Sequence, residues 1–184
     1  MARTMQPFSA MSEASLQDVY VDALWDLRAG AEVTLRSLSP MVPAVSDHEL
    51  ASALQVFLGE VSHRLQLLEV MVARFSVPAR LHAEELETLA GHAMRFLADG
   101  PAGEVRDIGI ATVCRAAIHY AIPEYELATV LARTLGYEKH AADLEPMLAA
   151  VLATDKTIAR LVEDQIRAHA PHATQHPDPT SATV

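Results

Sequence analysis

The stretch GEVRDIGIATVCRAAIHYAIPEYELATVLARTLGY, residues 103–137, decides the fold of this chain. It is rich in Ala and Leu, which favour helix, and Gly136 can adopt the left-handed conformation at which many helices end. The stretch predicts one long helix from about Gly103 to Leu135. Pro123 lies inside it, where the ring removes a backbone donor and clashes with the carbonyl of His119, so we expect a bend there.

Helical periodicity continues on both sides of this stretch. Apolar residues recur at helical spacing in three further long segments and one short one, residues 16–38, 47–75, 138–168 and 83–98. Ser15 and Ser46 precede the first two segments and can cap them. Four long helices and a short one predict an all-α four-helix bundle, with the short additional helix between helices two and three. We expect the bundle to span 15–168, between a flexible lead (1–14) and a disordered tail (169–184).

Composition restricts the class of protein. The chain has 184 residues, enough for one domain, and 51% are apolar whereas only 5% are aromatic. The formal charge of −10 disfavours binding to nucleic acid, which needs a positive surface. Cys114 is the only cysteine, so no intrachain disulfide can form. A single cysteine favours a reducing compartment, and no apolar run reaches the length of about 20 residues that spans a bilayer. The sequence therefore predicts a cytoplasmic protein that does not enter a membrane.

Four segments together resemble the YciE/YciF family of bacterial ferritin-like proteins, which is linked to stress responses. They are LQDVYVDALWDL (16–27), VSDHELASAL (45–54), the long-helix stretch 103–137 and AVLATDKTIARL (150–161), in which Ala153-Thr154-Asp155 is a family signature. The resemblance covers about residues 15–163. It implies a ferritin-like bundle, a homodimer or other homo-oligomer, and a di-metal centre held by inward carboxylates.

The acidic ligand positions of the family fall mostly on apolar residues here. The glutamate of helix one falls on Ala31, and the His-Leu-Glu-Glu of helix two falls on residues 57–60, where only Glu60 is acidic. The Glu-His-Tyr-Glu of the long helix falls on residues 118–121, and three glutamates of the last helix fall on residues 149–151. Packed apolar residues can replace buried ionic groups at little cost. We therefore expect a bundle with no metal or cofactor, a structural or interaction module with a possible protein partner, and not an enzyme.

Three residues keep an alternative open. Glu60 and His63 lie one turn apart on the same helix face, and the predicted inward position of His119 could bring a third ligand to a single ion. A metal-binding protein or oxidoreductase that uses iron or manganese is therefore the second hypothesis. Against it, Glu60 can pair with Arg64 on a solvated face, and the family places its glutamine or histidine one residue after His63.

The register of helix one also stays open at this point. A shift of one residue would turn Glu32 inward in place of Ala31. An inward carboxylate at that position would restore one of the ligands that the resemblance implies.

Overall fold

The computed structural model describes residues 13–75 and 102–173, together with Thr88, Ala90, Gly91 and Met94. The described helices are α1 (Glu13–Leu38), α2 (His48–Val72), α3 (Glu104–Thr134) and α4 (Glu138–Ala173), with a 3₁₀ turn at Val42–Ala44. The described residues contain no strand, so the predicted all-α bundle is confirmed. The predicted short helix at 83–98 lies mostly outside the described residues, as do 1–12 and 174–184.

The helix ends differ from the predicted ones in four places, one of which is the end of α2 at Val72, three residues before the predicted end. α1 begins at Glu13, so Ser15 lies within the helix and does not precede it. α2 is capped by Asp47, not by Ser46, because the Asp47 side chain accepts a hydrogen bond from the backbone N–H of Leu50 at 2.7 Å. α4 continues past the predicted end at Ala168.

The long helix α3 follows the sequence prediction closely. It runs from Glu104 to Thr134 with Pro123 inside it. Gly136 follows at a φ of 75°, in the left-handed region that glycine adopts without strain. The turn to α4 is therefore short.

Each helix packs against two neighbours in a closed ring, in the order α1, α2, α4, α3. Contacts between residues near the starts of the helices show the direction in which each helix runs. Tyr20 near the start of α1 bonds to His140 near the start of α4, whereas Ser46 before α2 bonds to Asp107 near the start of α3. The diagonal pairs are therefore parallel and neighbouring helices antiparallel, and α2 ends at the opposite end of the bundle from the start of α3.

Asp107 holds the loop before α2 against the start of α3. Its side chain is fully buried and accepts bonds from the backbone N–H groups of Ser46, at 2.9 and 3.1 Å, and Asp47, at 2.8 Å. Two backbone donors at the start of α2 thus find a charged acceptor on another helix. This contact fixes the first helical hairpin relative to the second.

An aromatic cluster closes the opposite end of the bundle. Tyr20 stacks on Tyr137 with ring centroids 5.3 Å apart, and Phe75 meets both rings edge-on. The Tyr20 Oη lies 2.7 Å from Nδ1 of His140, which is also buried. Burial, followed by the nearby positive charge of Arg74, lowers the pKa of His140. The ring is therefore held neutral, and its Nδ1 can accept the Tyr20 hydroxyl.

The core between these ends is mostly apolar. Cys114 is buried within it, and burial raises the pKa of its thiol, so the reactive thiolate is disfavoured. Trp25 packs half-buried against the core. Among the described residues, no helix combines the length and apolar character needed to cross a membrane.

Candidate functional site

A cavity of about 30 Å³ lies at the centre of the bundle, which is room for one or two water molecules. All four described helices contribute to its wall. The residues that line it are Asp26, Leu27, Gly30, Ala31, Thr34, Phe57, Val61, Arg64, Ala117, Ile118, Tyr120, Ala121, Glu124, Tyr125 and Val151. Five of these, Ala31, Phe57, Ile118, Ala121 and Val151, are positions to which the sequence resemblance assigns polar or acidic side chains. The cavity therefore brings the predicted site positions together.

The register of α1 is now decided. Ala31 is buried and lines the cavity, whereas the Glu32 side chain is 40% exposed and pairs with Arg28 at 2.6 Å. The alternative register, with Glu32 turned inward, is wrong. An i,i+4 pair on the outer face holds Glu32 away from the centre.

Arg64 is the charged residue that the cavity wall buries most deeply, with 5% of the residue exposed. Its Nη2 lies 3.9 Å from Oε2 of Glu60, and Nη1 has no hydrogen-bond partner among the described residues. The guanidinium also lies 5.7 Å from the ring centroid of Phe57. Burial lowers the pKa of Arg64, although an arginine stays protonated in proteins. The centre of the bundle thus contains a positive charge with one distant counter-ion.

Tyr125 lines the same cavity and does not neutralise this charge. Burial raises the pKa of Tyr125 to about 12, against a smaller opposing effect of Arg64. The phenol is therefore neutral at physiological pH. It can donate a hydrogen bond but supplies no negative charge.

The cavity opens between α1 and α3. The half-buried residues of its wall, Asp26, Tyr120, Ala121 and Glu124, belong to these two helices. Burial raises the pKa of Glu124, and the negative charge of Asp26 raises it further. At a given pH, a larger fraction of Glu124 is therefore protonated than of an ordinary glutamate. The mouth of the cavity is therefore lined by acidic side chains, whereas the deeper wall contains the guanidinium of Arg64.

The three candidate metal ligands do not converge. His63 is exposed, and Glu60 contacts Arg64 and the Thr154 hydroxyl, which donates to it at 3.3 Å. The predicted inward position of His119 is wrong, because its side chain is 55% exposed and its Nε2 lies 3.0 Å from Oδ1 of Asp155. Within the described part of the chain, no group of three His, Cys, Asp or Glu side chains could hold a metal ion.

Asp155, the acid of the family signature, forms a cluster near the surface. Arg115 donates to it through Nε at 2.8 Å and Nη2 at 3.3 Å, and His119 adds the third contact. The hydrogen bond from Arg115 lowers the pKa of Asp155. The cluster joins α3 to α4, and it lies beside the bundle centre without lining the cavity.

Sequence reasoning missed the burial of Arg64, although a signal was present. Phe57, Val61 and Leu68 form the buried stripe of α2, and Arg64 lies on that stripe at the i+3 position from Val61. The expected pair with Glu60 does form, but only the Glu60 side chain reaches solvent, at 38% exposed, whereas the Arg64 side chain is buried. A charged residue within an otherwise apolar helix stripe indicates that its side chain is buried.

Comparison with known proteins supports the resemblance. The model of a family described as a domain of unknown function, DUF892, matches residues 15–171. Protein YciF of Escherichia coli K12 is 25% identical over 158 residues, which cover 85% of this chain and 95% of that protein.

Two solved structures share the fold. The crystal structure of the E. coli stress protein YciF superposes with a TM-score of 0.75 at 25% identity, over 83% of this chain and 97% of YciF. YcfI, a candidate structural protein from Rhodopseudomonas palustris, superposes with a TM-score of 0.71 at 17% identity, over 84% of this chain and 98% of YcfI.

Proposed function

The chain belongs to the DUF892 family, and from that premise we propose that it is a stress-associated structural or interaction module whose ferritin-like bundle has lost its di-metal centre. The buried Arg64 guanidinium at the middle of the bundle carries this proposal. A cation now occupies the region where the resemblance implies two metal ions.

The donor set does not fit a pair of metal ions. Two dications in a dry core need several carboxylates and imidazoles, as in the four Glu and two His of ferritin-like sites. The cavity wall contains two carboxylates, Asp26 and Glu124, and no histidine. Both carboxylates lie at the half-buried mouth, and Arg64 would repel a metal ion bound beside it.

The assignment to stress rests on the relatives. The E. coli protein that resembles this chain along most of its length is described as a stress protein. With the metal chemistry absent, the shape and the surface of the bundle remain for function. This inference transfers a role by similarity of the whole chain and not by a shared active site.

Metal analysis tests the proposal directly. The full chain is refolded with iron or with manganese, desalted and analysed by mass spectrometry of the elements, and we expect far less than one metal ion per chain. The histidines of the C-terminal segment could bind stray metal, so a variant with His169, His172 and His176 replaced by Ala is the matched control. About two ions per chain that persist in this control, or ferroxidase activity, would overturn the proposal.

Self-association belongs to the same proposal. Large apolar side chains remain exposed on α2, α3 and α4, among them Val56, Val70 and Val130, each more than half exposed. We propose that such residues meet in a homodimer. Sedimentation analysis of the wild type against V70E and V130E tests this; a wild type that stays monomeric at high concentration would contradict it.

A further inference from the structure

We propose that the central cavity binds a small monovalent anion, of the size of chloride or formate, through the guanidinium of Arg64. The inference rests on the proposed absence of a metal pair. It goes further by assigning the cavity a ligand of the opposite charge.

The first support is the poorly satisfied charge of Arg64. A buried guanidinium needs partners for its donors, because an unmade hydrogen bond of a buried charged group is costly. Here Nη1 has no partner among the described residues, and the contact from Nη2 to Glu60 is 3.9 Å long, beyond hydrogen-bond distance. An anion in the adjoining cavity would supply both the missing acceptor and the counter-charge.

The second support is the rest of the cavity wall. The buried Thr34 and Tyr125 line the cavity together with Arg64, and their hydroxyl groups can donate hydrogen bonds. The remaining deep wall is apolar, which strengthens an electrostatic contact by excluding water. About 30 Å³ suits an ion of one to three heavy atoms and is too small for a cofactor.

The mouth of the cavity sets the expected charge of the ligand. Asp26 lies there, and every additional negative charge on the ligand increases its repulsion from this carboxylate. A divalent anion such as sulfate is therefore disfavoured against a monovalent one. Glu124 beside it, when protonated, is a donor and not a second repelling charge.

Chloride quadrupolar NMR on the full chain tests the proposal without reference to stability. Wild-type protein should broaden the chloride signal, and formate or bromide should reverse the broadening, whereas sulfate at equal ionic strength should not. The relative strength of formate and bromide as competitors then distinguishes a carboxylate ligand from an inorganic one. No reversible broadening in the wild type would overturn the proposal.

Three variants locate the binding. In R64M the affinity should fall about tenfold or more, because the charged hydrogen bonds to the anion are lost. R64K keeps the charge without the planar fork and should bind with intermediate affinity. R133M removes an equal charge from an exposed side chain that pairs with Glu145, and it should match the wild type. Equal broadening by R64M and wild type would overturn the proposal, and if R64M fails to fold, competition in the wild type decides.

The same preparations separate this inference from the proposed function. Metal content near zero without an anion effect would overturn the anion site and leave the proposed function standing. Two metal ions per chain would overturn both.

Discussion

Two kinds of region in this bundle bury polar groups, and they treat those groups in opposite ways. At the ends, Asp107 accepts bonds from two backbone donors, and His140 meets the Tyr20 hydroxyl at 2.7 Å. At the centre, Arg64 has an Nη1 without a partner among the described residues and a carboxylate no closer than 3.9 Å. Satisfied buried groups specify a fold, whereas an unsatisfied one calls for a functional explanation. The ends therefore hold the architecture, whereas the unsatisfied group at the centre marks the candidate functional site.

The largest expected effect is at the end of the bundle that Asp107 joins. In D107A the N–H groups of Ser46 and Asp47 lose their charged acceptor, and we expect unfolding to become easier by about 3 kcal/mol. D107N keeps one acceptor oxygen and should lose about half as much. Urea unfolding followed by circular dichroism measures both.

The matched control for Asp107 is Asp164, an exposed residue of α4 that pairs with Arg160 at i,i+4. D164A should change the free energy of unfolding by no more than about 0.5 kcal/mol. If D107A and D164A cost the same, the contrast between buried ends and solvated surface would be lost.

The second effect concerns pH at the aromatic end. Because the folded pKa of His140 lies below its usual value of 6.5, the neutral ring contributes stability that is complete above that pH. This stability is lost as the pH falls through the folded pKa, since protonated Nδ1 can no longer accept the Tyr20 hydroxyl. Urea unfolding of the wild type should therefore show a decline between pH 7 and pH 5 that is smaller in H140F. At neutral pH, H140F should itself cost about 1 kcal/mol, because the Tyr20 hydroxyl loses its partner.

A second histidine variant sharpens the pH test. His63 is exposed, so H63Q should keep the decline of the wild type. If the stability of H140F falls with pH as much as that of the wild type, groups other than His140 cause the loss of stability in acid.

The helices could be predicted from the sequence because periodicity and helix stops are local. α3 follows the predicted limits to within a residue, and Gly136 takes the predicted left-handed conformation. The cap of α2 was harder, since Ser46 and Asp47 are both good capping residues. Asp107, distant in sequence, accepts the backbone N–H groups of both Ser46 and Asp47, and the Asp47 side chain caps the helix.

The site was predicted only in part. One histidine, His119, and one arginine, Arg64, illustrate the reason. Residues that line the cavity, such as Ala31 and Val151, could be located through the family resemblance, because helix registers carry over between relatives. The orientation of His119 and the burial of Arg64 depend on contacts between helices: Asp155 of α4 holds the histidine outward, and residues of α1, α3 and α4 complete the cavity wall around the arginine. Such contacts join residues far apart in sequence or on crowded faces, so periodicity alone does not decide them.

At the centre of the bundle we expect a substitution to change the free energy of unfolding in the opposite direction from the substitutions at the ends. In chloride-free buffer R64M should change stability by no more than about 1 kcal/mol, and in favour of the variant, because the buried charge is removed and the Glu60 left behind is 38% exposed. Urea unfolding in gluconate and in chloride measures this. Added chloride should stabilise the wild type and leave R64M unchanged. A loss of about 3 kcal/mol or more in R64M would mean that Arg64 is well satisfied, like the groups at the ends.

The smallest effect is expected at Asp155, which lies between the two kinds of region. Its partner Arg115 is 36% exposed and His119 more so, and solvent therefore weakens both contacts. D155N should cost about 0.5 kcal/mol. Because the folded pKa of Asp155 is lowered, its contribution is present above the ordinary aspartate pKa of 3.8 and is lost as the pH falls through the folded value. The free energies of unfolding of wild type and D155N should therefore become equal only in acid, at pH values below those at which the effect of His140 is measured. A cost above about 2 kcal/mol would group this signature residue with the ends that hold the fold; a small cost leaves its presence in the signature to be explained by function.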